Sequence, residues 1–230
     1  MVETDTVTLF ADLVRRDDES IRLPAAALAM ARVQYPRLDV EAYLDQLDLI
    51  AARAMPAVEE ARSAERKLVA LRRFLFREIA FRGNEESYYD PRNTFLNDVL
   101  DRRLGIPITL SLVYIEVAAA CDLPAEGIGF PGHFLVRDVT TGHVIDPFRG
   151  GLRLDGDGCR RLLAAQGIDP AQWTDELLRP VSKRQFLRRM INNIARYYAE
   201  TRDGSRLEKL EAMAAVLGEQ DDSERAPLLQ

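Results

Sequence analysis

The stretch Gly105–Asp146, GIPITLSLVYIEVAAACDLPAEGIGFPGHFLVRDVTTGHVID, decides the fold. Residues 108–120 are apolar on nearly every face, which predicts a helix buried inside a domain. Residues 134–136 form a continuous apolar run, as expected for a strand that is covered on both faces. A turn at 140–142 then leads into a return strand that starts at Val144. We therefore expect a buried central helix packed against the sheet that follows it.

The predicted hairpin also brings two polar side chains together. It places His133 and Asp146 on neighbouring strands, toward the same end. A carboxylate beside an imidazole fixes one tautomer and stabilises the imidazolium, as in a nucleophile–His–Asp triad. The residues alone favour an ordinary alternative, in which the histidine is satisfied in the core and the Asp-Pro pair is a turn. Thr109 and Ser111, in the first turns of the central helix, and Cys159 are the candidate nucleophiles.

The composition of the chain excludes several function classes. Its 230 residues, 47% of them hydrophobic, are enough for one large domain or two small ones. The net charge of −6 provides no basic field for nucleic acid. No apolar run reaches the length of a membrane span, and the first residues lack the order of a signal peptide. With two cysteines and two histidines, neither a disulfide framework nor a metal site is expected. We expect a cytoplasmic protein without a cofactor.

The flanking segments are predicted to be mainly helical. Residues 1–82 carry apolar residues at helical spacing, and residues 183–217 form two helices joined by a turn at Asp203-Gly204. Asn93 is expected to cap a helix that ends at Gly105, and Asp155 to Gly158 is expected to be a turn. The candidate binding residues in and after the irregular segment between Phe81 and Asn97 are Asn97, Tyr89 and Arg103.

Three motifs carry a family resemblance: FRGNEESYYDPRNTFLNDVLDRRLGIPITLSLVYIEVA, GFPGHFLVRD and VIDPF. With them, the chain resembles the SirB family of bacterial transglutaminase-like proteins. This resemblance implies an α+β fold with a papain-like transglutaminase core, in the chain order nucleophile, histidine, aspartate. It also implies three parts: an N-terminal helical segment (1–82), the core (83–180) and a tetratricopeptide-like helix pair (181–230).

The same resemblance raises a question about the nucleophile. Active transglutaminase-like enzymes carry a Gly-x-Cys segment at the start of the central helix, and here the corresponding segment is Gly105-Ile106-Pro107. The slot of the cysteine is therefore occupied by Pro107. The leading hypothesis is a regulatory or protein-interaction module with a protein partner and a residual His133–Asp146 pair. The alternative is a hydrolase or acyltransferase acting on peptide or amide bonds. Its base would be His133, and its nucleophile Ser111, Thr109, Cys159 or a group from a partner.

Overall fold

The structure of the chain, a computed structural model, describes residues 5–218. Its helices are α1 (Thr6–Val14), α2 (Leu23–Ala31), α3 (Val40–Glu59), α4 (Ala64–Arg73), α5 (Leu96–Arg102), α6 (Pro107–Ala120), α7 (Gly156–Ala165), α8 (Lys183–Glu200) and α9 (Gly204–Val216). Its strands are β1 (Arg82–Gly83), β2 (Leu104–Gly105), β3 (Ala125–Ile128), β4 (Leu135–Asp138), β5 (Val144–Asp146) and β6 (Leu152–Leu154). A π-helical turn, Phe74–Glu78, continues α4.

The sheet is small and antiparallel. Strands β3, β4, β5 and β6 pair in sequence order, so each joins the next without a crossover. In this register Val136 lies opposite Gly127 on one side and Ile145 on the other. Strands β1 and β2 form a separate parallel pair, in which Gly83 lies opposite Gly105. The predicted α+β fold, with a central helix beside a small antiparallel sheet, is confirmed.

Helix α6 is the central helix. Pro107 is its first residue, a position where proline costs nothing because the missing N–H would have no partner in the helix. Most of its side chains are buried, including the large Tyr114 at its middle. It packs against α3 on one side and against β3 and β4 on the other. An apolar surface on all faces thus corresponds to a helix enclosed on all sides.

The helices on both sides of α6 share its hydrophobic core. All nine residues of α2 are buried, and its alanines let neighbouring helices approach closely. Helix α8 packs against α2, α6 and α9, so the C-terminal helix pair is packed on the helices that precede it. One continuous cluster of buried apolar side chains runs from Phe10 to Leu217. The three predicted segments therefore contribute to a single core.

A polar interaction joins the two ends of the described chain. The carboxylate of Asp18 accepts hydrogen bonds from the backbone N–H groups of Lys183 (2.9 Å) and Arg184 (3.0 Å) at the start of α8. The Lys183 ammonium donates to the Ile21 carbonyl at 2.8 Å, and the Arg184 guanidinium donates to the Val14 carbonyl at 2.7 Å. We call this set the Asp18 bridge. It satisfies N–H groups that a helix N-terminus leaves unpaired.

Two local predictions were wrong. Asn93 does not cap α5: it ends a short 3₁₀ turn, and Phe95 is the residue before the helix. The helix also ends at Arg102 and not at Gly105, which lies in β2. Residues 155–158 are not a free turn but the start of α7, where Asp155 accepts a hydrogen bond from the N–H of Gly158 at 2.7 Å. An aspartate cap can offset the low helix propensity of two glycines, which explains the second error.

Candidate functional site

The predicted histidine lies in a tight turn immediately before β4. Its N–H donates to the Phe130 carbonyl at 3.0 Å, and Gly132 adopts a left-handed conformation with φ of +64°. From α8, the Arg189 guanidinium donates to the carbonyl oxygens of His133 (2.9 Å) and Phe130 (3.3 Å). A helix distant in sequence therefore fixes the backbone that carries the imidazole.

The His133–Asp146 contact is present. Asp146 is the last residue of β5, and its Oδ1 lies 2.9 Å from His133 Nε2. The same oxygen accepts from the backbone N–H groups of Phe148 (3.1 Å) and Arg149 (3.3 Å). Asp146 is fully buried and the imidazole side chain is 5% exposed. Because a carboxylate only accepts, Nε2 is the donor, and the neutral imidazole presents Nδ1 as an acceptor.

One aromatic ring packs against the imidazole, and two more continue the row from it. The Phe148 ring meets His133 edge to face, with centroids 5.9 Å apart. Tyr88 in turn lies 5.8 Å from Phe148, and Tyr89 lies 5.4 Å from Tyr88. Gly83 makes this possible, because a Cβ there would lie 2.6 Å from the Phe148 ring. The aromatic row therefore leads from the buried pair to the surface, where Tyr89 is 76% exposed.

At the start of α6, the Thr109 hydroxyl already forms hydrogen bonds with backbone groups. It lies 2.7 Å from the Asn93 carbonyl, to which it donates, and it accepts from the Ile106 N–H at 3.2 Å. The Asn93 side chain holds the loop above it, donating to the carbonyls of Ser87 (2.7 Å) and Tyr88 (3.1 Å). Thr109 therefore connects the helix to this loop, and among the described residues it has no hydrogen bond with His133.

The other two candidate nucleophiles are also buried. The Ser111 side chain is 0% exposed, and its hydroxyl has no hydrogen-bond partner among the described residues. Cys159 is a residue of α7 and belongs to a second apolar cluster. Burial there raises the pKa of its thiol to about 11. Cys159 lines a cleft of about 420 Å³ with His143 and Trp173, and His133 is not part of that cleft. Within residues 5–218, neither side chain forms a hydrogen bond with His133.

The three candidate binding residues occupy different environments. Tyr89 lies on the exposed end of the aromatic row. Asn97 is buried on α5, and its Oδ1 has no partner in the described part of the chain. Arg103 follows α5 with φ of +60°, and its guanidinium stacks 4.9 Å from the centre of the Phe81 ring. Of these residues, only Tyr89 is linked to the His133–Asp146 pair through described contacts.

Three residues of the site were missed at the sequence level. Phe148 packs against the imidazole, Tyr88 packs against Phe148, and Arg189 holds the backbone of His133. The VIDPF motif was a signal for Phe148, because it places an aromatic ring two residues after the aspartate. The role of Arg189 had no local signal, since its partners lie more than 50 residues earlier in the chain.

Neither a metal-binding cluster nor a membrane-spanning helix occurs within residues 5–218. No cluster of three or more histidine, cysteine, aspartate or glutamate side chains in that range has the arrangement of a metal site. None of the helices in the same range combines the length and the apolar character needed to cross a membrane.

Comparison with known proteins gives the family. A family model described as the transglutaminase-like superfamily matches residues 41–192, from α3 into α8. The chain belongs to the transglutaminase-like superfamily. The match includes both members of the His133–Asp146 pair and the start of α6.

Relatives of this transglutaminase-like chain include bacterial and animal proteins. A UPF0162 protein of Xylella fastidiosa is 39% identical over 207 residues, covering 87% of this chain and 73% of that protein. A UPF0162 protein of Pseudomonas aeruginosa is 30% identical over 174 residues, covering 76% and 64%. F-box only protein 21 of Mus musculus is 34% identical over 137 residues, covering 55% of this chain and 21% of that protein. No solved structure matches the chain.

Proposed function

We propose that the chain is a protein-interaction module on a transglutaminase-like core whose nucleophilic cysteine is replaced by Pro107. The observation that carries the proposal is the position of Pro107 as the first residue of α6. Related enzymes are expected to hold a thiol at this helix end, where the helix dipole and an imidazole favour the thiolate. Proline has no nucleophilic atom to offer there.

The remaining candidate nucleophiles support the same conclusion. The Thr109 proton is donated to the Asn93 carbonyl, so transfer to an imidazole would first require breaking that link between the helix and the loop. At pH 7, a thiol with a pKa of about 11 is ionised in roughly one molecule in 10⁴, so Cys159 is a weak nucleophile. The buried Ser111 hydroxyl has no described base beside it.

The His133–Asp146 pair has a structural role in this proposal. Its hydrogen bond and the two backbone N–H groups that also reach Asp146 fix the turn after β5. That turn carries Phe148, which supports the aromatic row ending at Tyr89. The pair would then shape the floor of a protein-binding surface, and the exposed Tyr89 would contact the partner.

Finer parts of the proposal rest on the resemblance. We assign the chain to the SirB family and regard α8 and α9 as one tetratricopeptide-like unit, packed on a core that spans residues 83–180 and an N-terminal segment that spans residues 1–82. A cytoplasmic location agrees with a net charge of −6 and the two cysteines, neither of which forms a disulfide.

The alternative function has one observation in its favour. A buried carboxylate 2.9 Å from an imidazole is the base-and-orienter arrangement of acyl-transfer enzymes. A hydrolase or acyltransferase for peptide or amide bonds would use His133 as base, with Ser111, Thr109 or Cys159 as nucleophile. This function requires one of those groups to move toward the imidazole.

Covalent labelling separates the two functions. The parent, His133→Ala and Pro107→Cys are treated with a fluorophosphonate and with iodoacetamide, and adducts are located by mass spectrometry. The module predicts no His133-dependent adduct in the parent, whereas Pro107→Cys gains a fast iodoacetamide adduct that slows when His133→Ala is added. An adduct on Ser111, Thr109 or Cys159 of the parent that disappears in His133→Ala would refute the module and establish the enzyme.

A further inference from the structure

A second cleft, of about 540 Å³, lies between the C-terminal helix pair and the rest of the chain. Its walls come from the end of α2, the loop before α5 and the turn between α8 and α9. None of its lining residues belongs to the His133–Asp146 site, so a ligand here does not depend on whether that pair is catalytic. The volume lies within the range of pockets that hold small molecules or a few residues of peptide.

Aromatic rings form the apolar part of this cleft. Tyr35 and Phe95 pack edge to face at 5.7 Å, and Tyr197 and Tyr198 do so at 5.3 Å. The hydroxyls of the two more buried tyrosines are already paired, Tyr35 with Asp98 and Tyr198 with Gln34, each at 2.7 Å. The rings therefore present mainly apolar surface to a ligand.

Two arginines supply the polar part, and both are held in place. The Arg92 guanidinium donates through Nε and Nη2 to Asp90. The Arg206 guanidinium donates through Nε to the Val33 carbonyl at 3.3 Å, pairs through Nη1 with Asp203, and lies 5.6 Å from the centre of the Tyr198 ring. Arg92 Nη1 and Arg206 Nη2 have no hydrogen-bond partner among residues 5–218.

The charges of the cleft favour a ligand with a single negative charge over a ligand with several. Each arginine already faces one carboxylate, so the four groups sum to about zero charge. The remaining N–H donors still favour an oxygen acceptor, and a single carboxylate satisfies them without the desolvation cost of a doubly charged phosphate. The whole chain, at −6, also provides no attractive field for a polyanion.

We propose that this cleft binds a short acidic peptide segment. One carboxylate of the segment would lie between Arg92 and Arg206, and a neighbouring aromatic side chain would pack on the tyrosines. Pre-oriented arginines and rigid rings lower the entropy lost on binding, which is how a small contact area gives measurable affinity. The ligand is thus recognised by one negative charge beside one apolar ring.

Two dipeptides that differ only in charge test the proposal. Acetyl-Asp-Phe-amide and acetyl-Asn-Phe-amide are titrated into the ¹⁵N-labelled full chain, and dissociation constants are taken from amide chemical shifts. The Asp peptide is expected to bind about 10-fold tighter, which corresponds to one charge-assisted interaction of about 1.4 kcal/mol. The largest shifts are expected at Tyr197, Tyr198 and Arg206. No binding of the Asp peptide at 20 mM, or equal binding of both peptides, would overturn the proposal.

Variants identify the responsible groups. Arg92→Gln and Arg206→Gln are each expected to abolish the preference for the Asp peptide. Arg92, which is 57% exposed, can be replaced without disturbing the core, and far-UV circular dichroism checks the fold of both variants. Arg160→Gln is the matched control, because Arg160 pairs with an aspartate three residues earlier, as Arg206 does, but lies outside the cleft. A preference that survives both cleft variants, or adenosine monophosphate binding more tightly than the Asp peptide, would overturn the assignment.

Discussion

The most informative stability test concerns Glu116, on the central helix α6. Its carboxylate is only partly exposed, and burial raises its pKa from 4.5 to about 7, while the Lys183 and Arg22 cations act in the opposite direction and Asp48 adds to the increase. The folded state therefore holds a proton that the unfolded state has released. Replacing this side chain by glutamine keeps its shape and removes the ionisation.

The direction and size of the effect on the free energy of unfolding follow from the difference between the pKa of Glu116 in the folded and unfolded states. Below about pH 4.5 the carboxyl is protonated in both states, so Glu116 contributes no pH-dependent cost. As the pH rises from about 4.5 to about 7, Glu116 ionises in the unfolded state but stays protonated in the folded state, so the free energy of unfolding falls. Above about pH 7 the carboxyl is ionised in both states, and the free energy of unfolding falls no further on its account. The difference between a pKa of 4.5 and one of about 7 corresponds to about 3.4 kcal/mol, and partial exposure reduces this to about 1–3 kcal/mol.

Urea unfolding at pH 5 and pH 8, followed by circular dichroism, measures the effect. Glu116→Gln is expected to stabilise the chain by about 1–3 kcal/mol at pH 8 and by less than half of that at pH 5. Glu208→Gln on α9 is the control, because its exposed carboxylate is in water in both states. If Glu116→Gln destabilises the chain at pH 8, the carboxylate is ionised and paired with Lys183 or Arg22, and the reasoning is refuted.

Three further results are expected. Asp18→Ala removes the acceptor for two N–H groups of α8 and should lower the free energy of unfolding by about 0.5–2 kcal/mol in urea, whereas Asp17→Ala, whose side chain caps nothing, should have little effect. Gly83→Ala places a methyl group against the adjacent phenylalanine ring and should cost about 1–3 kcal/mol and shift the imidazole NMR signals, while Gly204→Ala, in open space, should do neither. The Cys159 thiol, with its pKa raised to about 11 by burial, should react with Ellman's reagent at pH 8 only at the rate of unfolding.

Each of these expectations has a clear contrary result. Equal stability of Asp18→Ala and Asp17→Ala would mean that water replaces the carboxylate at no cost. An unshifted imidazole in Gly83→Ala would mean that Phe148 moves without affecting His133. Rapid labelling of Cys159 in the folded chain would show an open thiol and would favour the enzyme alternative.

Much of the fold was predictable because its signals are local. The apolar run of α6 and the turn between β4 and β5 are encoded within about a dozen residues each, and both lie where the sequence predicts them. The His133–Asp146 contact follows from that hairpin, since antiparallel pairing brings the two ends together. Elements predicted from local patterns of this kind also form in the folded chain, because burial and strand pairing both favour them.

The parts that were not predictable depend on distant partners. Thr109 looks like a free hydroxyl in the sequence, and only the fold brings the Asn93 carbonyl within 2.7 Å of it. The same applies to Arg189, which holds the turn of His133 from a helix that begins at Lys183. The sequence around a single polar residue does not indicate which distant group it will bind in the fold, so its role cannot be assigned by spacing alone.

The Asp18 bridge has a consequence for biosynthesis. Its partners are separated by 165 and 166 positions in the chain, so the N-terminal helices cannot be locked in place until the start of α8 has left the ribosome. At about 5–20 residues per second, this delay is roughly 8–33 s. During that time the wholly apolar helix α2 lacks the contacts that α8 later makes with it, so this part of its apolar surface stays exposed to water.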